Sequence, residues 1–272
     1  MPPFLAAILG VVEGLTEYLP VSSTGHLILV GNLLHAGAGR EAFEIVIQLG
    51  AVLAVAVQYR ALLGARIAGL LAGKRESIAL LVALVVAFLP VAILGFLVHK
   101  KIKALLFSPV PVAAALIVGG VIMIVVERVR ARRGTVGLQG LEHVTWQRAL
   151  IIGLGQCVSL WPGSSRSMCT IVTAQLCGLS TATAAEFSFL VALPTLGAAT
   201  LYEGYKDRHE LAETIGVTSL LIGLVVSFLV AWAVIAVFIR YLQRRGLEPF
   251  GYYRIVLGAL VLWAAGRGLV SF

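Results

Sequence analysis

Two clusters of polar residues interrupt a chain that is otherwise strongly apolar. The first spans Glu13–His26 and combines two glutamates, a run of serine and threonine, and a histidine. The second spans Trp161–Ser167 and combines three serines with Arg166. Carboxylates, hydroxyls, an imidazole and a guanidinium are the groups that proteins use to transfer protons and to bind phosphate. Because charged groups are expensive inside a membrane, the two clusters together predict a phosphate-handling site at membrane depth.

The two glutamates of the first cluster, Glu13 and Glu17, are four residues apart and therefore share one face of a helix. Two carboxylates held close together in apolar surroundings either share a proton or bind a cation. Hard divalent ions prefer carboxylate oxygens and readily add phosphate oxygens, so this pair predicts a site for Mg²⁺ or Ca²⁺. The alternative is a neutral structural pair that is hydrogen-bonded to the backbone.

A turn suited to phosphate follows the glutamates. Pro20 lacks a backbone N–H and favours a helix break, and the residues beyond it include Ser22, Ser23, Thr24 and Gly25. Backbone N–H groups beside a helix N-terminus cradle an anion, and a serine hydroxyl becomes a nucleophile once a base takes its proton. His26 lies three residues beyond Ser23 and is predicted to act as general base, general acid or direct nucleophile. The nucleophile stays open between Ser23, His26 and an activated water.

The second cluster supplies a cation for the same site. The planar guanidinium of Arg166 suits bidentate binding of phosphate, with Ser164 and Ser165 as hydroxyl donors beside it. Arg166 also suits a structural ion pair with either glutamate, and the two roles can coexist. Gln156 matches, in the second half of the chain, the position of the first carboxylate, and we expect it to orient a ligand or to hydrogen-bond its own segment.

The composition predicts what must position these clusters. Of the 272 residues, 60% are hydrophobic and 12% are charged, and the mean hydropathy is +0.99. Several continuous apolar runs approach the length that spans a bilayer, which predicts a polytopic α-helical membrane protein rather than a barrel of alternating strands. The net charge of +8 comes largely from basic residues in short loops between these runs, so nucleic acid is not an expected partner.

Six segments are predicted to cross the membrane completely: 42–58, 77–98, 109–127, 184–203, 216–239 and 250–270. Two further segments, about 3–34 and 147–180, are apolar on both sides of a turn rich in proline, serine and glycine. Non-helical backbone at membrane depth is tolerated only where protein or a water-filled cavity satisfies its hydrogen bonds. Each of these two segments is therefore predicted to be a re-entrant helical hairpin.

Basic residues predict the orientation of the spans. The loops 59–76, 128–133 and 240–245 are rich in arginine and lie on one side if the six spans alternate. By the positive-inside tendency that side is cytoplasmic. Lys100, Lys101 and Lys103 then fall on the opposite side, as an exception to the tendency.

The same alternation predicts an internal symmetry. Each half of the chain, approximately 1–127 and 144–272, contains one hairpin followed by three spans. Because three is odd, the second half enters the membrane in the opposite sense, which is an inverted-topology repeat with its site at the interface of the repeats. Opposed hairpins would bring the two polar turns together near the midplane.

The two polar clusters resemble the sequence motifs of a known bacterial family. The stretch Glu13–His26 (EGLTEYLPVSSTGH) closely resembles the first signature of the bacterial undecaprenyl-diphosphatase family, also called the bacitracin-resistance family. Pro162–Ser167 (PGSSRS) resembles its second signature, and Glu186–Pro194 also fits. The resemblance covers essentially the whole chain. It implies a multi-pass enzyme of the bacterial inner membrane, with its site facing the periplasm, that hydrolyses undecaprenyl diphosphate to undecaprenyl phosphate and inorganic phosphate and so recycles the lipid carrier for peptidoglycan synthesis.

Matched position by position, the resemblance implies roles for individual residues. Glu13 and Glu17 would be metal or acid–base residues, and Ser23 would lie with His26 near the scissile phosphate. The residues predicted to carry catalysis are Glu17, Ser23, His26 and Arg166. The residues predicted to bind the substrate phosphates are Ser22, Thr24, Gly25, Gln156, Ser164, Ser165 and Arg166. The implied partners are undecaprenyl diphosphate and membrane lipid, and the cofactor is a divalent cation at Glu13 and Glu17.

Other functions compete with this interpretation. The inverted repeat alone is typical of transporters, so a flippase for the lipid carrier is the alternative. Type-2 phosphatidic acid phosphatases are similar in using a Ser-Arg turn, but that class needs a further histidine and aspartate, and no histidine follows Arg166 until His209. The sequence leaves the oligomeric state open, and a homodimer is compatible with it.

Overall fold

The computed structural model describes residues 1–37 and 39–268, and these residues are almost entirely helical. In the described part of the chain, the only pairing of the strand type is an isolated bridge between Leu138 and Leu179. The helices are α1 (Pro3–Thr16), α2 (Ser23–Leu33), α3 (Arg40–Gln58), α4 (Arg60–Leu71), α5 (Arg75–Leu106), α6 (Pro109–Arg132), α7 (Trp146–Gln156), α8 (Arg166–Leu176), α9 (Thr181–Lys206), α10 (Arg208–Glu210), α11 (Val217–Leu242) and α12 (Glu248–Gly266).

Among the described residues, six helices are long and apolar enough to cross a membrane: α3, the segment Arg75–Val98 of α5, α6, α9, α11 and α12. They coincide with the six predicted spans to within a few residues, which confirms the polytopic helical prediction. Residues 269–270, at the end of the last predicted span, lie outside the described residues. Half of the apolar stretch of α3 and of α9 is buried, against 17% in α5. Helices α3 and α9 therefore form the centre of the bundle, and α5 lies at its lipid-facing edge.

The two predicted hairpins are built from short helices. α1 has 14 residues, which is about 21 Å at the rise of an α-helix, and α2, α7 and α8 have 11 each. None of these helices spans a hydrocarbon layer of about 30 Å. Non-helical turns join α1 to α2 and α7 to α8, with a short 3₁₀ turn (Cys157–Leu160) in the second. This arrangement is compatible with re-entrant hairpins.

The hairpins enter the bundle from opposite ends. The amino terminus at Met1 donates to the carbonyls of Thr214 and Ile215, at the end where α11 begins. The carboxyl end of α8 instead lies where α6 ends, because Arg130 of α6 donates to the Gln175 and Leu179 carbonyls. The two turns thus approach each other inside the bundle, as opposed hairpins require. The division into inverted repeats at 1–127 and 144–272 stays a prediction.

Small residues let the helices that carry the site pack backbone to backbone. A side chain at Gly14 of α1 would place its Cβ 2.7 Å from the Ser227 carbonyl oxygen of α11. A side chain at Gly50 of α3 would meet the same helix at the Leu224 carbonyl. Close approach through small residues is the usual packing of membrane helices. It holds α1, and with it Glu13 and Glu17, tightly against α11.

Candidate active site

The two turns use the same local device to start the helices that follow them. Ser22 and Ser165 both have positive φ angles, 73° and 70°, a conformation that is costly for residues other than glycine. Each serine caps its helix, because the Ser22 hydroxyl accepts from the Gly25 N–H and the Ser165 hydroxyl from the Met168 N–H. Ser23 and Arg166, next in the chain, are therefore the first residues of α2 and α8. Helix N-termini favour anions, so both turns present an anion-binding end to the site.

Glu17 joins the two turns. The Ser23 hydroxyl donates to Glu17 Oε2 at 2.6 Å, and Arg166 Nη2 donates to Glu17 Oε1 at 2.9 Å. The side chains of Arg166 and Glu17 are only 8% and 4% exposed. The structure therefore brings three of the four predicted catalytic residues into direct contact, although Glu17 and Arg166 are 149 residues apart in the chain.

The remaining contacts of Arg166 fix the plane of its guanidinium. Nη1 donates to the Ser188 carbonyl at 3.0 Å and reaches the Ser188 hydroxyl at 3.3 Å. The guanidinium carbon lies 5.5 Å from the centre of the Tyr18 ring, in a cation–π contact. Nε is buried and has no hydrogen-bond partner. Arg166 is thus held in place on one side and keeps one donor free.

Ser188 is a contact that sequence reasoning missed. It lies inside the stretch Glu186–Pro194, which resembles the family but contains no predicted site residue. Its hydroxyl is 2.6 Å from the hydroxyl of Thr170, one turn after Arg166. A serine among apolar residues of α9 carries little signal, because only the tertiary structure shows that it faces Arg166.

The other serines of the second turn mainly hold its shape. The Ser165 hydroxyl lies 3.0 Å from that of Ser167, which in turn donates to the Leu19 carbonyl of the first turn. Ser164 is buried in the same turn. In the first turn, Thr24 is half-buried beside the buried Gly25. The predicted phosphate-binding residues Ser22, Thr24, Gly25, Ser164 and Ser165 thus lie in the two turns, or at the helix starts, that Glu17 and Arg166 join.

The ring nitrogens of His26 hydrogen-bond to groups other than the Ser23 hydroxyl. Its Nδ1 lies 2.8 Å from the Ser22 carbonyl, and its Nε2 lies 2.6 Å from the Tyr253 hydroxyl. The Tyr253 ring also stacks on the imidazole at 5.7 Å between centres. Because a carbonyl only accepts, Nδ1 carries a proton, and in the neutral ring Nε2 accepts from Tyr253. The partner that the structure gives to the Ser23 hydroxyl is therefore the Glu17 carboxylate.

Two buried polar groups next to this cluster lack partners. Glu13 is wholly buried, and neither of its carboxylate oxygens has a hydrogen-bond partner. Gln156 is also wholly buried; its Oε1 is unpartnered, and its Nε2 lies 3.5 Å from the Thr195 hydroxyl. Buried polar groups normally find a partner, so these oxygens are candidates to bind a cation, a proton or a ligand. Within the described residues, no group of three or more histidine, cysteine, aspartate or glutamate side chains is arranged for a metal.

Arg254 of α12 holds both turns from behind. It is wholly buried, and its Nη1 donates to the Pro20 carbonyl at 3.0 Å while Nη2 donates to the Gly163 carbonyl at 2.9 Å. Nη2 and Nε also donate to the carbonyls of Ala115 and Leu116 in α6. Sequence reasoning missed this residue, although an arginine well inside the predicted span 250–270 is a signal of the kind that intramembrane charges give.

Comparison with known proteins identifies the family. The chain matches the family model of the bacitracin resistance protein BacA over residues 6–260. It belongs to this family. An undecaprenyl-diphosphatase from Sorangium cellulosum is 60% identical over 96% of this chain and 85% of the relative. Undecaprenyl-diphosphatase 2 from Rhodospirillum rubrum is 48% identical, over 98% of this chain and 96% of the relative. An undecaprenyl-diphosphatase from Rhizorhabdus wittichii is 45% identical, over 96% and 97%. The resemblance inferred from the motifs is confirmed.

In this BacA-family chain, replacing Arg254 by Lys should lower both stability and activity. A single ammonium cannot reach the Pro20 and Gly163 carbonyls together, so buried carbonyls lose their donor. We expect the free energy of unfolding to fall by about 3 kcal/mol and the melting temperature in detergent to fall with it. The exposed Arg240, which donates to a carbonyl of its own helix, is the matched control. Equal melting temperatures for Arg254→Lys and Arg240→Lys would contradict the bridging role.

Proposed function

We propose that this chain hydrolyses undecaprenyl diphosphate to undecaprenyl phosphate and inorganic phosphate, and so recycles the lipid carrier for peptidoglycan synthesis. One observation carries the proposal: a hydroxyl, a carboxylate and a guanidinium, on Ser23, Glu17 and Arg166, meet in a buried cluster of a multi-pass membrane protein. The names of the family relatives support the same activity. No observation favours the transporter alternative, because these groups converge on one cluster.

The diphosphate binds where positive charge is concentrated. Arg166 keeps its Nε free, and the N-termini of α2 and α8 add the positive ends of their dipoles. These groups offset negative charge on the transferring phosphoryl group, which is the largest contribution to most phosphoryl transfers. The hydroxyls of Ser165 and Ser167 keep the second turn in shape for this binding, and the side-chain amide of Gln156 donates to a phosphate oxygen.

Ser23 is the nucleophile that this geometry supports best. Its hydroxyl proton passes to Glu17 as Oγ bonds to the terminal phosphorus, and the P–O bond to undecaprenyl phosphate breaks. Water then attacks the phosphoserine, and the proton on Glu17 returns to the departing Ser23 oxygen. The released phosphate keeps the oxygen of the water. His26, oriented by Tyr253 and the Ser22 carbonyl, is the second proton-transfer group.

Glu13 is the residue that would hold a divalent cation, Mg²⁺ or Ca²⁺. Its two oxygens accept no hydrogen bond from a donor group and interact with the neighbouring Glu17 carboxyl group, whereas both oxygens of Glu17 already contact Ser23 or Arg166. Carboxylate oxygens are the preferred ligands of both ions, so the residues present fit such a cofactor. When bound, the cation supplies further positive charge beside the phosphoryl group.

We also propose that the chain lies in the bacterial inner membrane with the site open to the periplasm. The first hairpin enters from the end of the bundle opposite the arginine-rich loops, which the positive-inside tendency assigns to the cytoplasm. The substrate is a lipid of the same membrane.

Replacing Arg166 by Ala should nearly abolish phosphate release from undecaprenyl diphosphate in detergent. Loss of a charge-stabilising donor typically costs about 10²- to 10³-fold in turnover. Arg208→Ala is the control, since Arg208 lies at the bundle end and contacts the Tyr205 ring. If Arg166→Ala turned over as fast as Arg208→Ala, the clamp role would be wrong.

The nucleophile can be trapped directly. Acid quenching during turnover, followed by mass spectrometry, should show one added phosphate on the peptide that contains Ser23. The Ser23→Ala variant should show neither the adduct nor phosphate release. A turning-over enzyme that never carries phosphate on Ser23 would instead make water the nucleophile.

Metal dependence can be tested by chelation. Excess EDTA should stop phosphate release, and Mg²⁺ or Ca²⁺ should restore it. Glu13→Gln should raise the Mg²⁺ concentration for half-maximal activity by about tenfold or more, because it replaces an anionic ligand by a neutral one. Glu76→Gln is the control, since Glu76 pairs with Arg66 at the surface. Full activity in EDTA would remove the cation from the mechanism.

A further inference from the structure

A short helix at the arginine-rich end of the bundle takes no part in the site described above. Helix α4 (Arg60–Leu71) joins α3 to α5, and both of these contain an apolar stretch long enough to cross a membrane. The 12 residues of α4 extend about 18 Å at the helical rise, which is too short for a hydrocarbon layer of about 30 Å. Because the chain leaves one span and enters the next through α4, this helix lies at one surface of the membrane.

The side of α4 that faces away from the bundle is apolar. Leu71 is 88% exposed and Ile67 is 59% exposed. Apart from Arg60 at the start of the helix, the other exposed residues are small: Ala61, Gly64, Ala65 and Ala68. At 3.6 residues per turn these positions form one continuous side, and the buried Gly69 lies on the other side, against Ser77 of α5. A continuous apolar face of this kind marks a contact with a membrane or with another molecule.

Basic side chains frame this apolar face. Arg60 begins the helix, and the exposed Lys74 and Arg75 follow its end. Among the described residues, neither Lys74 nor Arg75 has a hydrogen-bond or ion-pair partner for its side chain. The sequence of α4 contains no acidic residue, and Glu76 is already paired with Arg66 at 3.1 Å. Positive charge at the edge of an apolar helix face suits a ligand that joins a negative group to an apolar one.

A phospholipid supplies these two parts in one molecule. α4 packs mainly against α5, whose apolar stretch is only 17% buried and therefore faces acyl chains. The exposed side of α4 continues this lipid-covered surface. The unpaired charges of Lys74 and Arg75 lie in the turn between the two helices, where a headgroup would meet them. A zwitterionic headgroup carries its own cation, so these two residues favour an anionic headgroup.

We propose that α4 is an interfacial helix that binds an anionic phospholipid. The acyl chains lie against Ala68 and Leu71, and the headgroup phosphate lies at Lys74 and Arg75. By the positive-inside tendency, the lipid belongs to the cytoplasmic leaflet. α4 contains no residue of the proposed active site, so this inference does not depend on the phosphatase activity.

Native mass spectrometry of the protein in detergent measures such binding directly. The probes are phosphatidylglycerol and, with the same acyl chains, phosphatidylcholine. We expect wild-type protein to bind phosphatidylglycerol more tightly. Because each basic residue strengthens binding to anionic lipid by about fivefold, Lys74→Gln/Arg75→Gln should bind phosphatidylglycerol about tenfold or more weakly, with phosphatidylcholine unchanged.

The matched control removes the same charge at the same end of the bundle. Arg132 and Arg133 are also adjacent, basic and exposed, but they lie at the end of α6. Arg132→Gln/Arg133→Gln should keep the wild-type affinity for phosphatidylglycerol. Equal losses in the two double variants would show a diffuse effect of surface charge and would overturn the site. Equal binding of the two lipids to wild-type protein would overturn it as well.

A second measurement tests the apolar face. Leu71→Trp adds an indole to α4, and Val136→Trp adds one to the non-helical stretch after α6, where Val136 is 78% exposed. Both proteins are placed in phosphatidylglycerol nanodiscs with brominated acyl chains, and the fluorescence of the wild-type protein, with its four tryptophans, is subtracted. Bromine should quench the added indole at 71 and leave that at 136 unquenched. An unquenched indole at 71 would place α4 outside the bilayer and contradict the proposal. A dimer that separates in Leu71→Asp would instead assign this face to a second copy of the chain.

Discussion

The buried ion pair between Glu17 and Arg166 is the interaction on which the rest of the structure depends. Glu17 follows the last residue of α1, at the negative end of that helix dipole, and Arg166 is the first residue of α8, at the positive end. Each charge is therefore unfavourable for its own helix. Removing either partner would leave an uncompensated charge in a buried site. The pair is stable only when both turns are brought together. The packing of the two distant hairpins therefore also assembles the site.

A second constraint is that non-helical backbone at membrane depth needs hydrogen-bond partners. Arg254 meets this need by donating to a carbonyl in each turn and to two carbonyls of α6. Ser22 and Ser165 meet it at the helix N-termini by capping. The positive φ angles of both serines persist because these contacts hold the turns from several sides. The result is a rigid pair of anion-binding helix ends facing one guanidinium.

The bundle places an apolar groove next to the polar cluster. The groove runs along α11 and is lined by Leu15, Val21, Val237 and Phe250, whereas Glu17 and Arg166 meet between the two turns. Tyr253 belongs to both regions, since it lines the groove and its hydroxyl hydrogen-bonds to His26. α11 serves both parts: the close contact of Gly14 with Ser227 positions the glutamates, and Val237 borders the groove. One helix thus supports both regions.

The sequence by itself determined the helical class, the six spans and most of the polar cluster, because charges and breaks in apolar sequence are costly and therefore conspicuous. Glu13, Glu17, His26 and Arg166 could be found in this way. Only the tertiary structure decided that Ser23 contacts Glu17 rather than His26, and that Tyr253, Ser188 and Arg254 complete the site. These three residues come from α9 and α12, far from the first turn in the chain, and the local sequence does not show that they face it. Which face of a helix meets which partner is set by packing between helices, and a linear pattern does not contain that information.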